Sequence, residues 1–317
     1  MPDESEGYSD FKDKLKAKYF IPEFGGALFT LLDSILSAIA DTEYVAVGQA
    51  FRSNIDGLVT TLSFPFDMAA DRVIDEIFQR LHMKAMLESM AAASSAENAL
   101  SSAGVDPAAR KARDAMKQFI RTEKGKFDFL KQTSDVLDAA YSSDKLVAAN
   151  KLLLQGTVLC WSALEVFCRD FFIAYLNKHP DKCRALNKDE DTKKLFDLSK
   201  DTLIQHLEGN KYNLSSLMGT ILAHRQDFSD FESIRATFRV LLQTASPFED
   251  DLVKSNLTLL AARRNLIVHR SGLIDSKYHQ HDKTTVIGQN LNLTPEDVRK
   301  HIAITVSTAT AVLNFVV

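Results

Sequence analysis

With 317 residues, 45% apolar and 25% of them charged, the chain suits one large domain or two small ones and has an ordinary globular make-up. A formal net charge of −4 excludes a polycation that grips nucleic acid over its whole surface, so a phosphate ligand would need a local basic patch. Cys160, Cys168 and Cys183 are odd in number and form no CxxC pair, which argues against a disulfide framework or a cysteine zinc site and fits a reducing cytoplasm.

Glycine and proline are scarce, which favours long helices over many short strands. The start, MPDESEGYSD, is acidic and polar and carries no secretory signal. The apolar stretch Tyr19 to Ala40 contains Glu23, Asp33 and a Gly25-Gly26 break, so it reads as a core helix rather than a membrane span. A helix is expected from Pro22 to about Asp41. Residues 42–65 are ambiguous: Tyr44, Val45 and Val47 fit a short strand, and Gly48 and Gly57 read as turns. Helical periodicity returns from Phe66 to Met90.

The small, polar stretch around Gly104 marks a boundary near Ser101–Asp106, dividing a mostly helical region 1–105 from a second domain 106–317. Asp106-Pro107 reads as an N-cap and first helical residue, opening a helix to about Ala140. Ser142 or Ser143 caps the next helix, which runs to about Asn177. That helix is apolar on nearly every side, from Leu152 through Leu159 and Trp161 to Phe172, and belongs at the centre of a bundle. Cys160 and Cys168 lie in it as small hydrophobes. Residues 187–245 are polar helices and loops. Ser246-Pro247-Phe248-Glu249 has capping-box spacing and opens a helix to Arg270, stopped by Ser271-Gly272. Thr294-Pro295-Glu296-Asp297 repeats the signal for a last helix over 295–315.

The chemistry concentrates in Arg263-Arg264-Asn265-Leu266-Ile267-Val268-His269-Arg270. At ~100° per residue, Asn265 and His269 share a face with Thr258 and Ala262, while Leu252, Leu259, Leu260, Leu266 and Ile267 form a core stripe. Arg264 lies ~140° round from His269, so its side chain must curl back or meet another subunit. Arg263 falls inside the core stripe, which points to a buried ion pair. The helix end favours a protonated imidazole at His269. Histidine can take or give a proton near neutral pH, and a guanidinium can clamp a phosphate and offset charge in the transition state. Ribonucleolysis by attack of the ribose 2′-OH needs those groups and no metal.

The string RRNLIVHRSGLIDSKY resembles the Arg-x4–6-His signature of the HEPN superfamily, with Arg264 matching the arginine, Asn265 the polar residue after it and His269 the histidine. The resemblance covers 143–317. It implies an all-α helical bundle, paired as a homodimer with the motif helices at the interface, and a metal-independent endoribonuclease with no cofactor. RNA is then the substrate, and a toxin or phage-defence role with an antitoxin or sensor partner follows from the family. The family's other members imply an alternative, a non-catalytic module that binds nucleotide or protein as a scaffold. Where one branch of the family carries a tyrosine that receives AMP, this chain has Ser271, so that modification is not expected.

Glu165 either orients Arg263 or Arg264, as acidic residues facing the motif do in the family, or pairs with Arg169 one turn on. Arg270 completes the supporting set. From Ala261 to Lys283, five basic residues face Asp275 and Asp282, a local charge of +3 that suits a phosphate. His279-x-His281 lacks the carboxylate or cysteine spacing of a metal site. His82, His206, His224 and His301 read as surface or packing residues.

Overall fold

The computed structural model describes residues 8–21, 28–93, 106–140, 143–214, 216–224, 226 and 228–317. Over these residues the chain is all-α. The helices are α1 (Tyr8–Lys18), α2 (Thr30–Ala38), α3 (Thr42–Ala93), α4 (Pro107–Phe119), α5 (Glu123–Ala140), α6 (Ser143–Lys178) and α7 (Cys183–Lys188). They continue with α8 (Glu190–Lys193), α9 (Lys200–Gly209), α10 (Met218–Ala223), α11 (Phe231–Leu242), α12 (Asp251–Arg270), α13 (Ser276–His281) and α14 (Pro295–Asn314). Among the described residues, no helix is long and apolar enough to cross a membrane.

The compact units do not follow the division read at 105/106. One unit gathers Met1–Ile21 with Thr61–Ala149, and the other gathers Pro22–Thr60 with Asn150–Val317. The two long helices α3 and α6 each contribute to both units, so a polar stretch in the sequence does not mark the division. The Gly25-Gly26 break, the start of a helix after Pro22, the stretch from Ser101 to Val105 and the Ser142 cap lie outside the described residues.

In the first unit, Leu15, Tyr19, Phe66, Ala69, Leu130 and Leu137 pack one core between α1, α3 and α5. Lys18 and Tyr19 both donate to Asp138. The Asp106 cap forms as the sequence indicates, accepting from the Ala108 N–H at 3.0 Å. The single helix expected to Ala140 is two. α4 stops at Phe119, and Thr122 caps α5 by accepting from the Gly125 N–H at 3.0 Å. Gly125 permits that turn, because a Cβ there would lie 1.8 Å from the Phe119 carbonyl oxygen.

In the second unit, α6 is the central helix. Phe171 packs against Tyr44, Phe167, Tyr175 and Phe238, and Phe172 against Phe196 and Phe228. Leu159 departs from this pattern and is half exposed. No strand forms at Tyr44, Val45 and Val47, and no turn at Gly48 or Gly57, because α3 runs through them all. Tyr44, Phe51, Ile55 and Leu58 are buried at helical spacing, and that periodicity overrides the glycine signals. Gly48 serves close packing instead: a Cβ there would sit 2.3 Å from Leu36 Cδ2 and 3.0 Å from Leu313 Cδ1.

α12 starts later than Ser246-Pro247 suggests. Pro247–Glu249 form a separate 3-10 turn, and Asp250 is the cap, accepting from the Val253 N–H at 3.0 Å. Leu252 therefore lies in the first turn and is 68% exposed, while Leu257 takes its place in the buried stripe. The end is as read: Ser271 and Gly272 adopt left-handed φ of 52° and 82°, and the Gly272 N–H returns to the Leu266 carbonyl at 3.2 Å. At α14, Thr294 and Asp297 form the reciprocal capping box.

Two helical glycines should respond oppositely to alanine. At Gly219 a Cβ would meet the Ile173 carbonyl oxygen at 2.2 Å and its Cα at 2.7 Å, all backbone. Gly219→Ala should cost about 1–3 kcal/mol through overpacking, despite alanine's better helix propensity. At Gly57 the added methyl meets nothing within 4 Å. Gly57→Ala should stabilise by roughly 0.5–1 kcal/mol. Denaturant midpoints of the two variants check both signs.

Candidate active site on the motif helix

The motif helix is fixed in place by Arg263. Its guanidinium is buried, and it donates from Nε to the Tyr278 hydroxyl at 3.2 Å and from Nη1 to Asp297 Oδ1 at 3.3 Å. Nη1 also lies 3.0 Å from His301 Nε2, and Nη2 is 3.8 Å from Asp282. Arg263 thus ties α12 to α13, to the segment after it and to α14. A charge at a core-stripe position is tolerated because two carboxylates and a phenol meet it there.

The segment beyond the helix is folded back onto it. Leu273 pairs with Asn290 in an isolated bridge, the Ile274 N–H reaches the Gln289 carbonyl at 2.9 Å, and the Leu291 N–H reaches the Gly272 carbonyl at 2.8 Å. Beneath this clasp, Leu266, Ile267, Ile274, Tyr278, Leu291 and Leu293 form their own core, with Leu154 and Val158 of α6 packed against it. Asp275 caps α13 by accepting from the Tyr278 N–H at 2.8 Å.

These constraints shape a groove of about 460 Å³. Asn265 and His269 line it together with Thr258 and Ala262, the four residues that helical spacing places on one face. Arg270 lines its edge, with Nε 4.0 Å from Asp275. α13 adds Lys277 and His281, and the start of α11 adds its cap Asp230 and Glu232.

Arg264 is not among the groove-lining residues. It curls toward its neighbour instead, donating from Nη1 to Asn265 Oδ1 at 2.9 Å, while Nη2 lies 4.0 Å from Glu165 on α6. Among the described residues, its Nε is buried without a hydrogen-bond partner. Of the two roles read for Glu165, the geometry puts it beside Arg264, and Arg169 is hydrogen-bonded to Asp170 at 3.1 Å. Arg264 therefore holds the Asn265 amide, and Asn265 connects the arginine to the groove that His269 faces.

The local charge of +3 does not survive folding as an open basic patch. Arg263 is matched by Asp282 and Asp297, and Arg264 faces Glu165. Around the groove, Arg270 and Lys277 stand against Asp230, Glu232 and Asp275. Those carboxylates already have work: Asp230 caps α11 through the Ser233 N–H, Glu232 pairs with Arg235 at 2.9 Å, and Asp275 caps α13. Asp230 and Glu232 at the start of α11 were not picked out in the sequence, and Lys277 and His281 entered there only through a basic stretch and a His-x-His pair. Asp230-x-x-Ser233 carries a readable N-cap signal, but nothing local says that this cap faces α12.

His301 is more than a packing residue. Burial, followed by the nearby Arg263 charge, lowers its pKa from the ordinary 6.5 to about 3. It is therefore a neutral acceptor for Arg263. Among the described residues, no group of three or more His, Cys, Asp or Glu side chains could hold a metal ion. No family model matches the chain, and no match to it is found among the curated proteins or the solved structures.

The His301 geometry gives a pH dependence with a definite sign. Because the folded-state pKa is depressed, the unfolded chain binds a proton between about pH 6.5 and 3 that the folded chain refuses. Stability should be full above 6.5 and fall as the pH drops through that window. Asp297 adds to the acid loss at lower pH: burial raises its pKa, but hydrogen bonds from Thr294 and the Arg263 charge outweigh that and leave it lowered. His301→Gln keeps an acceptor for Arg263 without a titrating ring, so it should flatten the loss between pH 6.5 and 3. Denaturant midpoints across pH for both chains measure this, and an unchanged slope would count against the buried-histidine account.

Proposed function

We propose that the chain is a metal-independent endoribonuclease of HEPN type, with His269 transferring protons at an RNA phosphodiester in the α12 groove. One observation carries this reading: the imidazole of His269 and the amide of Asn265 open side by side onto a groove edged by cationic Arg270 and Lys277. The Arg-x4-His resemblance supports it. Attack of the ribose 2′-oxygen forms a bond to phosphorus, the bond to the 5′-oxygen breaks, and the products are a 2′,3′-cyclic phosphate and a 5′-hydroxyl. Arg270 and Lys277 meet the phosphate charge. Arg264, the expected phosphate clamp, becomes a positioning residue that acts through Asn265. Pairing of two copies through α12 belongs to the same proposal, with Val268 as apolar contact surface, 49% exposed between motif residues. A toxin or phage-defence setting, with an antitoxin or sensor partner, rests on the family resemblance.

The three carboxylates at the groove favour one competing reading, a scaffold that docks a cationic protein segment there. The two separate on a direct assay. Purified protein incubated with total RNA in EDTA should leave cyclic phosphate and 5′-hydroxyl ends. His269→Ala should lower the rate by at least about 100-fold, the usual lower bound for loss of a general acid or base, without unfolding, since the side chain is exposed. No cleavage by wild type, cleavage that needs Mg²⁺, or a His269→Ala chain that cuts at the wild-type rate would each overturn the ribonuclease reading.

A further inference from the structure

Ribose-phosphate cleavage needs two proton transfers on opposite sides of the phosphorus. The 2′-OH must lose a proton as it attacks, and the 5′-oxygen must gain one as it leaves. A lone imidazole has to serve both in turn, whereas two imidazoles in one groove can act together. The groove holds a second imidazole, His281, which the motif does not include. We infer that His281 is the second proton-transfer residue, so that one chain carries both the base and the acid. This rests on the ribonuclease reading.

His281 lies in the last turn of α13, and three constraints hold that helix. Tyr278 is buried, and its hydroxyl accepts from Arg263 at 3.2 Å. Asp275 caps the start of the helix. The pairing of Leu273 with Asn290 closes the whole excursion onto α12. Once Tyr278 is anchored, Lys277 and His281 beside it line the groove that His269 faces. A solvated loop would not place a side chain so definitely. His279 is excluded from this role: it does not line the groove, and its Nδ1 is buried.

Among the described residues, neither the His269 ring nor the His281 ring has a hydrogen-bond or ion-pair partner. Both rings are therefore available to a ligand. Their roles follow from position. His269 lies in the last turn of the twenty-residue α12 beside Arg270, and it is assigned as the acid that protonates the 5′-oxygen. His281 is the base that takes the 2′-OH proton. Lys277, next to the Tyr278 anchor, meets the non-bridging oxygens. The titratable and charged groups that line the groove with His281 are Asp230 and Glu232 at the start of α11, His269 and Arg270 of α12, and Asp275 and Lys277 on its own segment. The ligand this set fits is a nucleoside 3′-phosphodiester.

The test uses two substrates with the full-length protein: an RNA dinucleotide, and a uridine 3′-(4-nitrophenyl phosphate), whose leaving group departs without a proton. On the dinucleotide, His269→Ala and His281→Ala should each lose at least about 100-fold. On the nitrophenyl ester, His269→Ala should recover to within roughly tenfold of wild type and His281→Ala should not, because only the acid becomes dispensable. The rate of wild type against pH should be bell-shaped, and each variant should lose one limb. Thermal midpoints of both variants should match wild type, since both side chains are exposed. If wild type and His269→Ala behave as the ribonuclease reading requires but His281→Ala cuts the dinucleotide at the wild-type rate, the second-imidazole inference fails alone. If wild type cuts neither substrate, the reading beneath it fails. Mixing His269→Ala chains with His281→Ala chains should restore nothing. Recovered activity would overturn the single-chain pair and place the two histidines in different subunits of one site.

Discussion

Around the candidate site, the second unit depends on one buried guanidinium. Arg263 is the point at which α12, α13, the segment carrying Asp282 and α14 meet, through Tyr278, Asp282, Asp297 and His301. Removing the charge while leaving its partners would strand two carboxylates where solvation is poor, which is costly in general. The hub therefore specifies more than it stabilises. It sets which way α13 faces, and so which residues the groove receives.

The same hub explains why a six-residue helix has a fixed place at all. Helices this short do not hold themselves together in water. α13 persists because Asp275 caps it, Tyr278 is buried beneath it, and the paired backbone at Leu273 and Asn290 closes the loop that carries it. Those constraints also supply most of what a binding surface needs. The groove is built on the rigid end of α12, with α11 and α13 as its walls.

The parts of this arrangement that are written locally were legible in the sequence. The Thr294-x-x-Asp297 box, the Ser271-Gly272 stop and the shared face of Thr258, Ala262, Asn265 and His269 follow from turn chemistry and the 3.6-residue period. So does the odd placement of Arg263, which already signals an ion pair. What was not legible depends on contacts between distant segments. Gly48 reads as a turn because glycine usually marks one, yet it is small to admit Leu36 and Leu313. Ser246-Pro247 reads as a helix start, but Asp250 is the better-placed acceptor and takes the cap. The basic patch was counted along the chain, and its neutralising partners Glu165 and Asp297 come from α6 and α14.

The consecutive residues Arg263, Arg264 and Asn265 show why the spacing of the motif matters. A helix turns ~100° per residue, so three neighbours serve three directions. Arg263 reaches inward to the hub, Arg264 reaches sideways toward Glu165, and Asn265 opens onto the groove one turn before His269. The hydrogen bond from Arg264 to Asn265 then couples the sideways and groove-facing positions. A change at Arg264 would reach the groove only through the orientation of that amide, and a change at Arg263 only through the placement of α13. The stretch thus combines two kinds of position along one turn of helix, with the supporting residues directly before the ones that face the groove. This division also locates the second imidazole. The hub that Arg263 makes with Tyr278 is what carries His281 to the same groove, so the first arginine of the pair positions one histidine while the helix itself positions the other.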